Sequence, residues 1–376
     1  MLEETYEGLR ITRGRLADDR EIIYVDRDPD APPRTAPDPR ELPEQRPASE
    51  LRRDPLTGEW RVFAAHRQDR TFLPPASDDP LSPARPGAKP SEVPADDYDI
   101  LVFENRFPSL STRAEISDGA ELGLGPLVER AAALGRCEVV SYTPDPEGSF
   151  KDLPREKARA LIDVWAHRTA ELAAIPGVRA VFPFENRGEE IGVTLSHPHG
   201  QIYAYPFVPP RLARLSERAA EHEAATGRDL FADVLAAELD AGRRVLTETE
   251  HFVAYVPAAA AWPLEAIVMP RRAVSSFPGL TAGERDDLAG LLPDLFAAVD
   301  RFFPGIEATP YIAAWNQAPD PAAGEGPVRL HLQLFSLMRS PGRMKYLAGS
   351  ESAMGAWISD TTPETIADRL REVWPC

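Results

Sequence analysis

One stretch carries most of the information in this sequence, Thr194-Leu195-Ser196-His197-Pro198-His199-Gly200-Gln201-Ile202-Tyr203. On a strand, His197 and His199, two of only seven histidines, point to the same side. Pro198 stiffens the backbone between them and has no N–H to donate to a neighbouring strand, which is typical of a position at the edge or the start of a strand. Gly200 leaves room for a ligand near the main chain, and the Gln201 amide can donate hydrogen bonds to an oxyanion. The stretch therefore predicts a strand with a chemical role.

Three chemistries could use such a histidine pair. The imidazoles could bind a metal or act as general acid and base. Alternatively, one ring could attack phosphorus while the other ring, or a backbone carbonyl, fixes its tautomer. A neutral imidazole suits this last role because it is nucleophilic near pH 7. Two structural histidines on a strand are the alternative interpretation, and the proline, glycine and glutamine in this order argue against it.

The elements around this stretch predict an internal duplication. The first series has strands over 137–142, 178–182 and 201–205 and helices over 154–175 and 210–243. The second has strands over 252–256, 264–269, 310–314 and 330–334 and a helix over 281–302. Corresponding positions, 127, 131 and 134 residues apart, are Glu138 and Glu265, Val178 and Thr309, and His197 and His331. The repeat is too long for a solenoid and fits two copies of a small α+β fold.

The composition excludes several classes of protein. Among 376 residues, 43% are hydrophobic and 27% charged, which is typical of a globular chain. The formal charge of −18 argues against general binding to nucleic acid or anionic membrane, although a small anionic substrate remains possible in a local basic pocket. No apolar run reaches the ~18 residues of a membrane span.

The N-terminal residues and the cysteines point to a reduced cytoplasm. The chain starts with acidic residues and has no signal-peptide pattern, and its two cysteines cannot form a disulfide scaffold. Residues 1–50 are rich in proline and charge, so we expect an extended segment that lies over the main body without a core of its own. Residues 74–94 read as a second proline-rich loop.

The motifs resemble those of the galactose-1-phosphate uridylyltransferase family, a branch of the histidine triad superfamily. The central match is His197-Pro198-His199-Gly200-Gln201, preceded by Phe184-Glu185-Asn186-Arg187-Gly188. The other matches, in order, are Asp54-Pro55-Leu56-Thr57-Gly58-Glu59-Trp60, His66-Arg67-Gln68-Asp69-Arg70, Phe103-Glu104-Asn105-Arg106-Phe107-Pro108, Glu250-His251-Phe252, Ala261-Trp262-Pro263 and Lys345-Tyr346-Leu347-Ala348-Gly349-Ser350-Glu351. Asp54 stands where the family has asparagine. The resemblance covers most of the chain, and so many ordered matches are far more specific than the histidine motif alone.

The resemblance implies a duplicated histidine-triad-like α+β fold, with mostly antiparallel sheets and helices packed on them. Residues 1–50 would be the extended segment, 51–208 the half with the active site, and 209–376 the second half. The implied partners are a UDP-sugar, a hexose 1-phosphate and a second copy of the chain in a homodimer. The implied reaction moves UMP from UDP-glucose to galactose 1-phosphate by double displacement through a uridylyl-histidine.

The site residues follow from the family positions. His199 would be the nucleophile, and Gln201 would hold the phosphoryl oxygens. The nucleotide and phosphate contacts would be Arg67, Arg70, Asn105, Phe107, Asn186, Thr194 and His197. The sugar-phosphate contacts would be Lys345, Tyr346 and Glu351. Because charge builds on the phosphoryl oxygens during transfer, we expect Arg67, Arg70 and Lys345 to contribute mainly by electrostatic positioning.

The sequence departs from the family at its metal ligands. Where zinc-binding members have Cys-x-x-Cys and a histidine, this chain has Asp79, Ser82 and Pro146. That leaves His197 as the one clear ligand, with Asp79 as a possible oxygen ligand. We therefore expect no zinc, no required cofactor, and a 74–94 loop held by packing alone. At the second metal site, Asn316 and Gln333 replace histidines, and the change at Gln333 indicates that the C-terminal half has no nucleophile.

Arg106 stands where some members have aspartate, which makes the choice of base less certain than the reaction type. The alternatives are the same chemistry on another nucleotide, such as an ADP-sugar or a dinucleoside polyphosphate, or a non-catalytic nucleotide-sugar binder.

Overall fold

The computed structural model describes residues 2–43, 47–69, 73–116, 125–320 and 326–375. Its strands are β1 Leu2–Tyr6, β2 Leu9–Arg15, β3 Glu21–Asp26, β4 Glu50–Arg53, β5 Trp60–Phe63, β6 Ile100–Glu104, β7 Arg130–Ala132, β8 Arg136–Ser141, β9 Ala180–Arg187, β10 His199–Tyr205, β11 Val245–Glu248, β12 Phe252–Tyr255, β13 Leu264–Pro270, β14 Tyr311–Asn316, β15 His331–Ser336, β16 Met338–Ser340 and β17 Arg343–Met344. Its helices are α1 Arg155–Ala173, α2 Pro210–Thr226, α3 Leu230–Ala241, α4 Ala282–Arg301, α5 Gly349–Met354 and α6 Pro363–Val373. None of the helices in these ranges is both long enough and apolar enough to cross a bilayer.

A single antiparallel sheet joins the two halves of the chain. Within the described ranges its order is β1-β2-β3-β6-β8-β10-β9-β14-β15-β13-β12-β11. The trio β8-β10-β9 corresponds to β13-β15-β14, and the halves meet where β9 pairs with β14, from Tyr311 opposite Arg187 to Ala314 opposite Phe184. The predicted duplication into mostly antiparallel sheet with packed helices is confirmed.

One face of the sheet is covered by the paired helices α1 and α4. Pro154 precedes α1, and α4 begins with a capping box in which Thr281 and Glu284 satisfy each other's backbone N–H groups. Between the helices and the sheet lies an aromatic cluster, with Phe150 stacked on Phe296 at 4.6 Å between ring centroids. Both halves therefore share one hydrophobic core.

The opposite face is covered differently in each half. In the C-terminal half, α2 and α3 lie over it and pack residues such as Phe231 and Leu235 on β12 and β13. The expected single helix over 210–243 is wrong, because Gly227 ends α2 in a left-handed conformation (φ 69°) and Asp229 caps α3. In the N-terminal half, a loop with Leu81 and Val93 covers only part of this face.

The N-terminal segment is more ordered than the expectation of an extended 1–50 segment. Residues 2–26 form β1, β2 and β3, and β3 pairs with β6, so that the segment widens the sheet by three strands. Leu9, Ile11, Ile23 and Val25 enter the main core. Residues 27–43 have no helix or strand, as expected. The alternating apolar residues of β1, β2 and β3 were not recognised in the sequence, because residues 27–43 are rich in proline and dominate the composition of the segment.

Candidate active site

His199 is the first residue of β10 and faces a cavity on the half-covered side of the sheet. Its Nδ1 is 2.7 Å from the carbonyl oxygen of His197. Because a carbonyl can only accept, Nδ1 carries the proton and Nε2 keeps its lone pair. Burial lowers the pKa of His199, which favours the neutral ring. The geometry therefore leaves Nε2 of His199 with a free lone pair, which a nucleophilic or proton-accepting imidazole requires.

The cavity has a volume of about 400 Å³ and extends across β9, β10, β8 and β6. Neighbouring strands are about 4.8 Å apart, so four strands span roughly 14 Å, enough for a nucleotide sugar lying across them. The structure brings seven of the predicted site residues to its walls: Arg67, Asn105, Phe107, Asn186, Thr194, His199 and Gln201.

Arg67 and Asn105 are fixed by a short chain of hydrogen bonds at one wall. Arg67 donates to the carbonyl of Phe107 (2.8 Å), and the Phe107 amide donates to the side-chain oxygen of Asn105 (2.8 Å). The guanidinium of Arg67 retains further donors beside the nucleophile's strand. Its positive charge at the cavity wall can stabilise a bound phosphate.

His197 is placed behind the cavity and not on its wall, contrary to the predicted nucleotide or phosphate contact. Its side chain is 1% exposed, with Nδ1 2.7 Å from Asp79 and Nε2 2.8 Å from the carbonyl of Thr143. Because His197 precedes β10, strand alternation does not direct it to the side of His199. It contributes through its backbone carbonyl, which orients the ring of His199.

The residues at the family's zinc position do not fit a tetrahedral zinc site. Asp79 is hydrogen-bonded directly to His197, accepts from the Ser82 hydroxyl (2.6 Å) and accepts from the Leu81 amide (3.0 Å). Burial alone would raise the pKa of Asp79, but the hydrogen bonds from His197 and Ser82 hold it below its usual value. Pro146 offers no side-chain ligand. The 74–94 loop is thus held by these polar contacts as well as by packing, which corrects the expectation of packing alone.

The one group of three potential ligands in the described ranges lies elsewhere, at Glu4, His167 and Glu171. Arg13 donates to both of these glutamates at 2.5 Å, so its guanidinium already occupies the place between their carboxylates.

The predicted sugar-phosphate contacts do not reach the cavity of their own chain. The ammonium of Lys345 donates to the carbonyl of Ile358 and lies 3.5 Å from Glu351, whereas Tyr346 is 83% exposed. None of the three lines the cavity. Arg70 lies outside the described residues, so its predicted role stays a prediction.

The C-terminal half contains a buried counterpart of His199. His331 opens β15, and its Nδ1 is 2.8 Å from the carbonyl of Arg329, two residues back, which is the contact that His199 makes. The repeat in the sequence paired His331 with His197, whereas this shared contact pairs His331 with His199. His331 is 4% exposed beneath Phe231 of α3, and burial lowers its pKa to about 4. The C-terminal half therefore lacks an open nucleophile because α3 covers it.

Gly200 has a different role from the one expected. It faces the core, where an added Cβ would lie 3.2 Å from the carbonyl oxygen of Phe184. Glycine is therefore favoured here by close strand packing and not by a ligand.

Glu185 lies in the core directly beside Gly200 in the sheet register. Its Oε1 accepts hydrogen bonds from Tyr142 (3.0 Å) and Tyr311 (2.6 Å). Burial raises the pKa of Glu185 to about 7, although the two phenols and Arg187 oppose the shift. The carboxyl thus carries a free-energy cost when it ionises in the folded protein.

We expect Glu185→Gln to change the pH dependence of stability. Below the ordinary pKa of 4.5, the carboxyl is protonated in both the folded and the unfolded states, so it does not affect the unfolding free energy. As the pH rises from 4.5 through about 7, the unfolded state loses this proton more readily than the folded state, and the folded protein loses stability. Relative to wild type, the variant should gain up to ~3 kcal/mol of unfolding free energy at pH 8 and much less at pH 5. Urea unfolding at both pH values measures the difference. Glu250→Gln, on the surface, is the control, and an equal effect at both pH values would contradict the assignment.

Several cavity residues were not among the predicted contacts, although Phe103, Arg106 and Phe184 belong to the quoted motifs. The walls also include Leu81, Glu92, Phe103, Arg106, Val139, Phe184 and Tyr203, among others. Phe103, Val139 and Tyr203 could have been found as same-face positions on strands neighbouring Gln201. Glu92 had no local signal, because its place is set by contacts with residues more than fifty positions away.

Comparisons with known proteins identify the family of this chain. Residues 40–209 match the family model for the N-terminal domain of galactose-1-phosphate uridyl transferase, and residues 215–375 match that for its C-terminal domain. A galactose-1-phosphate uridylyltransferase from Streptomyces lividans is 43% identical over 97% of this chain and 98% of its own length. One from Thermotoga maritima is 33% identical over 86% of this chain and 98% of its own. A solved uridylyltransferase structure aligns with a TM-score of 0.75 at 29% identity, over 86% of this chain and 98% of that one. The chain belongs to the galactose-1-phosphate uridylyltransferase family.

Proposed function

We propose that this protein transfers a uridylyl group from UDP-glucose to galactose 1-phosphate by double displacement through His199. The observation that carries the proposal is the Nδ1 hydrogen bond to the His197 carbonyl, which leaves the lone pair of Nε2 facing the cavity. The relatives named as galactose-1-phosphate uridylyltransferases support the choice of substrates.

In the first step, Nε2 of His199 attacks the α-phosphorus of UDP-glucose. A phosphorus–nitrogen bond forms, and the bond from that phosphorus to the bridging oxygen breaks, so that glucose 1-phosphate leaves with the bond's electrons. The uridylylated ring is cationic, because Nδ1 keeps its proton and still donates it to the His197 carbonyl. Arg67 and Gln201 are placed to hold the phosphoryl oxygens on which charge builds.

In the second step, a phosphate oxygen of galactose 1-phosphate attacks the same phosphorus. The phosphorus–nitrogen bond breaks, its electrons return to Nε2, and UDP-galactose leaves. His199 is then neutral again and ready for another cycle. Neither step is routed through a metal, and we propose that the protein acts without one.

We also propose that the working form is a cytoplasmic homodimer that does not bind nucleic acid or membrane. The side chains that follow Lys345 support a second copy, because Tyr346, Leu347, Met354, Trp357 and Ile358 form an exposed apolar surface. Contact between this surface and a second copy could bring the sugar-phosphate residues to the neighbouring cavity. This accounts for their distance from the cavity of their own chain.

Intact-mass measurement after incubation with UDP-glucose, without acceptor, tests the function. We expect one uridylyl group per chain, removed on addition of galactose 1-phosphate, and the same result in chelator-treated protein. Light scattering on the same preparation should give twice the mass of the chain. Absence of the adduct in folded protein that binds UDP-glucose would favour the non-catalytic binder.

A second candidate is the same reaction on another nucleotide, since Arg106 brings an added cation to the cavity wall. A screen of UDP-, ADP-, GDP- and CDP-sugars for hexose 1-phosphate release separates the two. Release from an ADP-sugar in preference to the UDP-sugar would favour this alternative.

A further inference from the structure

A hydrogen bond between Tyr142 and Glu185 crosses beneath the strand that bears His199. The strand order is β8-β10-β9-β14, so β10 lies between β8 and β9. Tyr142 directly follows β8, and Glu185 lies on β9. Their side chains meet on the core side of the sheet, where the Tyr142 hydroxyl donates to Oε1 of Glu185 at 3.0 Å. Because strands two places apart lie about 10 Å from each other, only long side chains can join them in this way.

Gly200 has no side chain to fill the space beneath β10 through which this bond passes. It is opposite Glu185 in the sheet register, and it faces the core. Gly200, Tyr142 and Glu185 border one cavity of only about 10 Å³, whose walls include the rings of Trp165 and Phe296. The space beneath β10 is therefore almost completely filled, and the bonded side chains have little freedom to shift.

The residues next to Glu185 and Gly200 in the sequence face the active-site cavity, because neighbouring side chains on a strand point to opposite faces. The four that flank these two positions all line the cavity: Phe184, Asn186, His199 and Gln201. The bond between Tyr142 and Glu185 thus lies directly behind the cavity floor. A displacement of β10 relative to β9 would move His199 relative to the opposite wall.

Tyr311 secures Glu185 from the other side. Its hydroxyl, on β14, donates to the same Oε1 at 2.6 Å. Arg187 lies over the ring of Tyr311, at 4.3 Å from the centroid, and pairs with Asp300 of α4. Because Oε1 accepts both phenols, the proton of the neutral carboxyl is on Oε2. The arrangement therefore requires an acceptor oxygen at this place and does not require a charge.

A carboxyl at this core position lowers stability. Burial raises the pKa of Glu185 to about 7, so its ionisation reduces the unfolding free energy at neutral pH. An apolar side chain would avoid this cost. A buried titratable group that weakens the fold is typical of a functional role.

We propose that Glu185 is a positioning residue for uridylyl transfer, and that its hydrogen bond to Tyr142 holds β10 so that Nε2 of His199 stays aligned with the α-phosphorus. The inference rests on the proposed function for the reaction itself. Glu185 faces away from the cavity and acts through the backbone of β10. Without the bond, β10 shifts against β9 and the alignment is partly lost, whereas the cavity wall formed by β6 is unchanged.

Single-turnover formation of the uridylyl adduct from UDP-glucose, measured by quenching and intact mass, tests the proposal together with calorimetric binding of UDP. We expect Tyr142→Phe, which removes only the hydroxyl, to slow adduct formation about tenfold and to weaken UDP binding by less than about twofold. Glu185→Leu should slow it at least as much. The double variant should be no slower than Glu185→Leu, because both substitutions remove the same bond. Glu185→Gln keeps the acceptor oxygen and should form the adduct at nearly the wild-type rate.

Tyr255→Phe is the matched control, because it removes the hydroxyl of another buried tyrosine, on β12 in the C-terminal half, and should react as wild type does. A wild-type rate in Tyr142→Phe, or a rate in Glu185→Gln as slow as in Tyr142→Phe, would overturn the proposal even where Glu185→Leu does not fold. UDP affinity that falls as far as the rate would overturn it too, since the whole cavity would then have loosened. The proposed function fails separately, by absence of the uridylyl adduct in wild type.

Discussion

Replacement of His199 by asparagine is expected to abolish uridylyl transfer, with kcat reduced by ~10⁴-fold or more. Asparagine can still donate to the carbonyl of His197, but it has no lone pair able to attack phosphorus. The covalent route is therefore closed, while the rest of the cavity stays intact. Steady-state turnover and intact mass after UDP-glucose measure the loss, and UDP binding near the wild-type value shows that the cavity has survived.

His331→Asn is the matched control for this variant. His331 makes the same contact with a carbonyl two residues back, but it is buried under α3 and away from the cavity. The folded variant should still carry one uridylyl group per chain, although its stability falls. A uridylyl adduct on the His199 variant, or two adducts on wild type, would contradict the assignment of a single nucleophile.

The second large effect is expected from Asp79→Ala, which should lower the unfolding free energy by ~3–5 kcal/mol. The substitution removes the acceptor for His197, Ser82 and the Leu81 amide together. The polar groups left behind are largely buried, so water cannot replace the lost partner. The KM for UDP-glucose should also rise, because Pro80 and Leu81 form part of the cavity wall. Urea unfolding and steady-state kinetics give the two values.

Asp78→Ala controls for the loss of a carboxylate in the same loop. Asp78 pairs with Lys89 at 3.2 Å on the surface, where such a pair contributes ~0–1 kcal/mol. A loss for Asp79→Ala no greater than that for Asp78→Ala would show that the buried network does not stabilise the loop.

The sequence predicts the part of the site that lies on regular strands. Gln201 and His199 alternate with Ile202 and Gly200 along β10, so their common side follows from strand geometry once the strand is recognised. Asn105 and Asn186 were expected only from the family resemblance, and both lie on the cavity wall, Asn105 just after β6 and Asn186 within β9.

The rest depended on contacts between distant parts of the chain. His197 was misplaced because the strand begins two residues later than the motif does, so its ring faces Asp79 and Thr143. The ion pairs of Glu92 join residues 52 and 72 positions away, which no local pattern reveals. The predicted sugar-phosphate contacts Lys345, Tyr346 and Glu351 do not line the cavity, and no local pattern in the sequence indicates this.

The pairing of β9 with β14 means that the two matched family regions are not independent folding units. Severing the chain between them would expose two interior strand edges, each with unpaired amide and carbonyl groups, and such edges promote aggregation. The shared core between α1 and α4 would be divided as well. The two halves should therefore unfold in a single cooperative transition. Either half expressed alone should be insoluble.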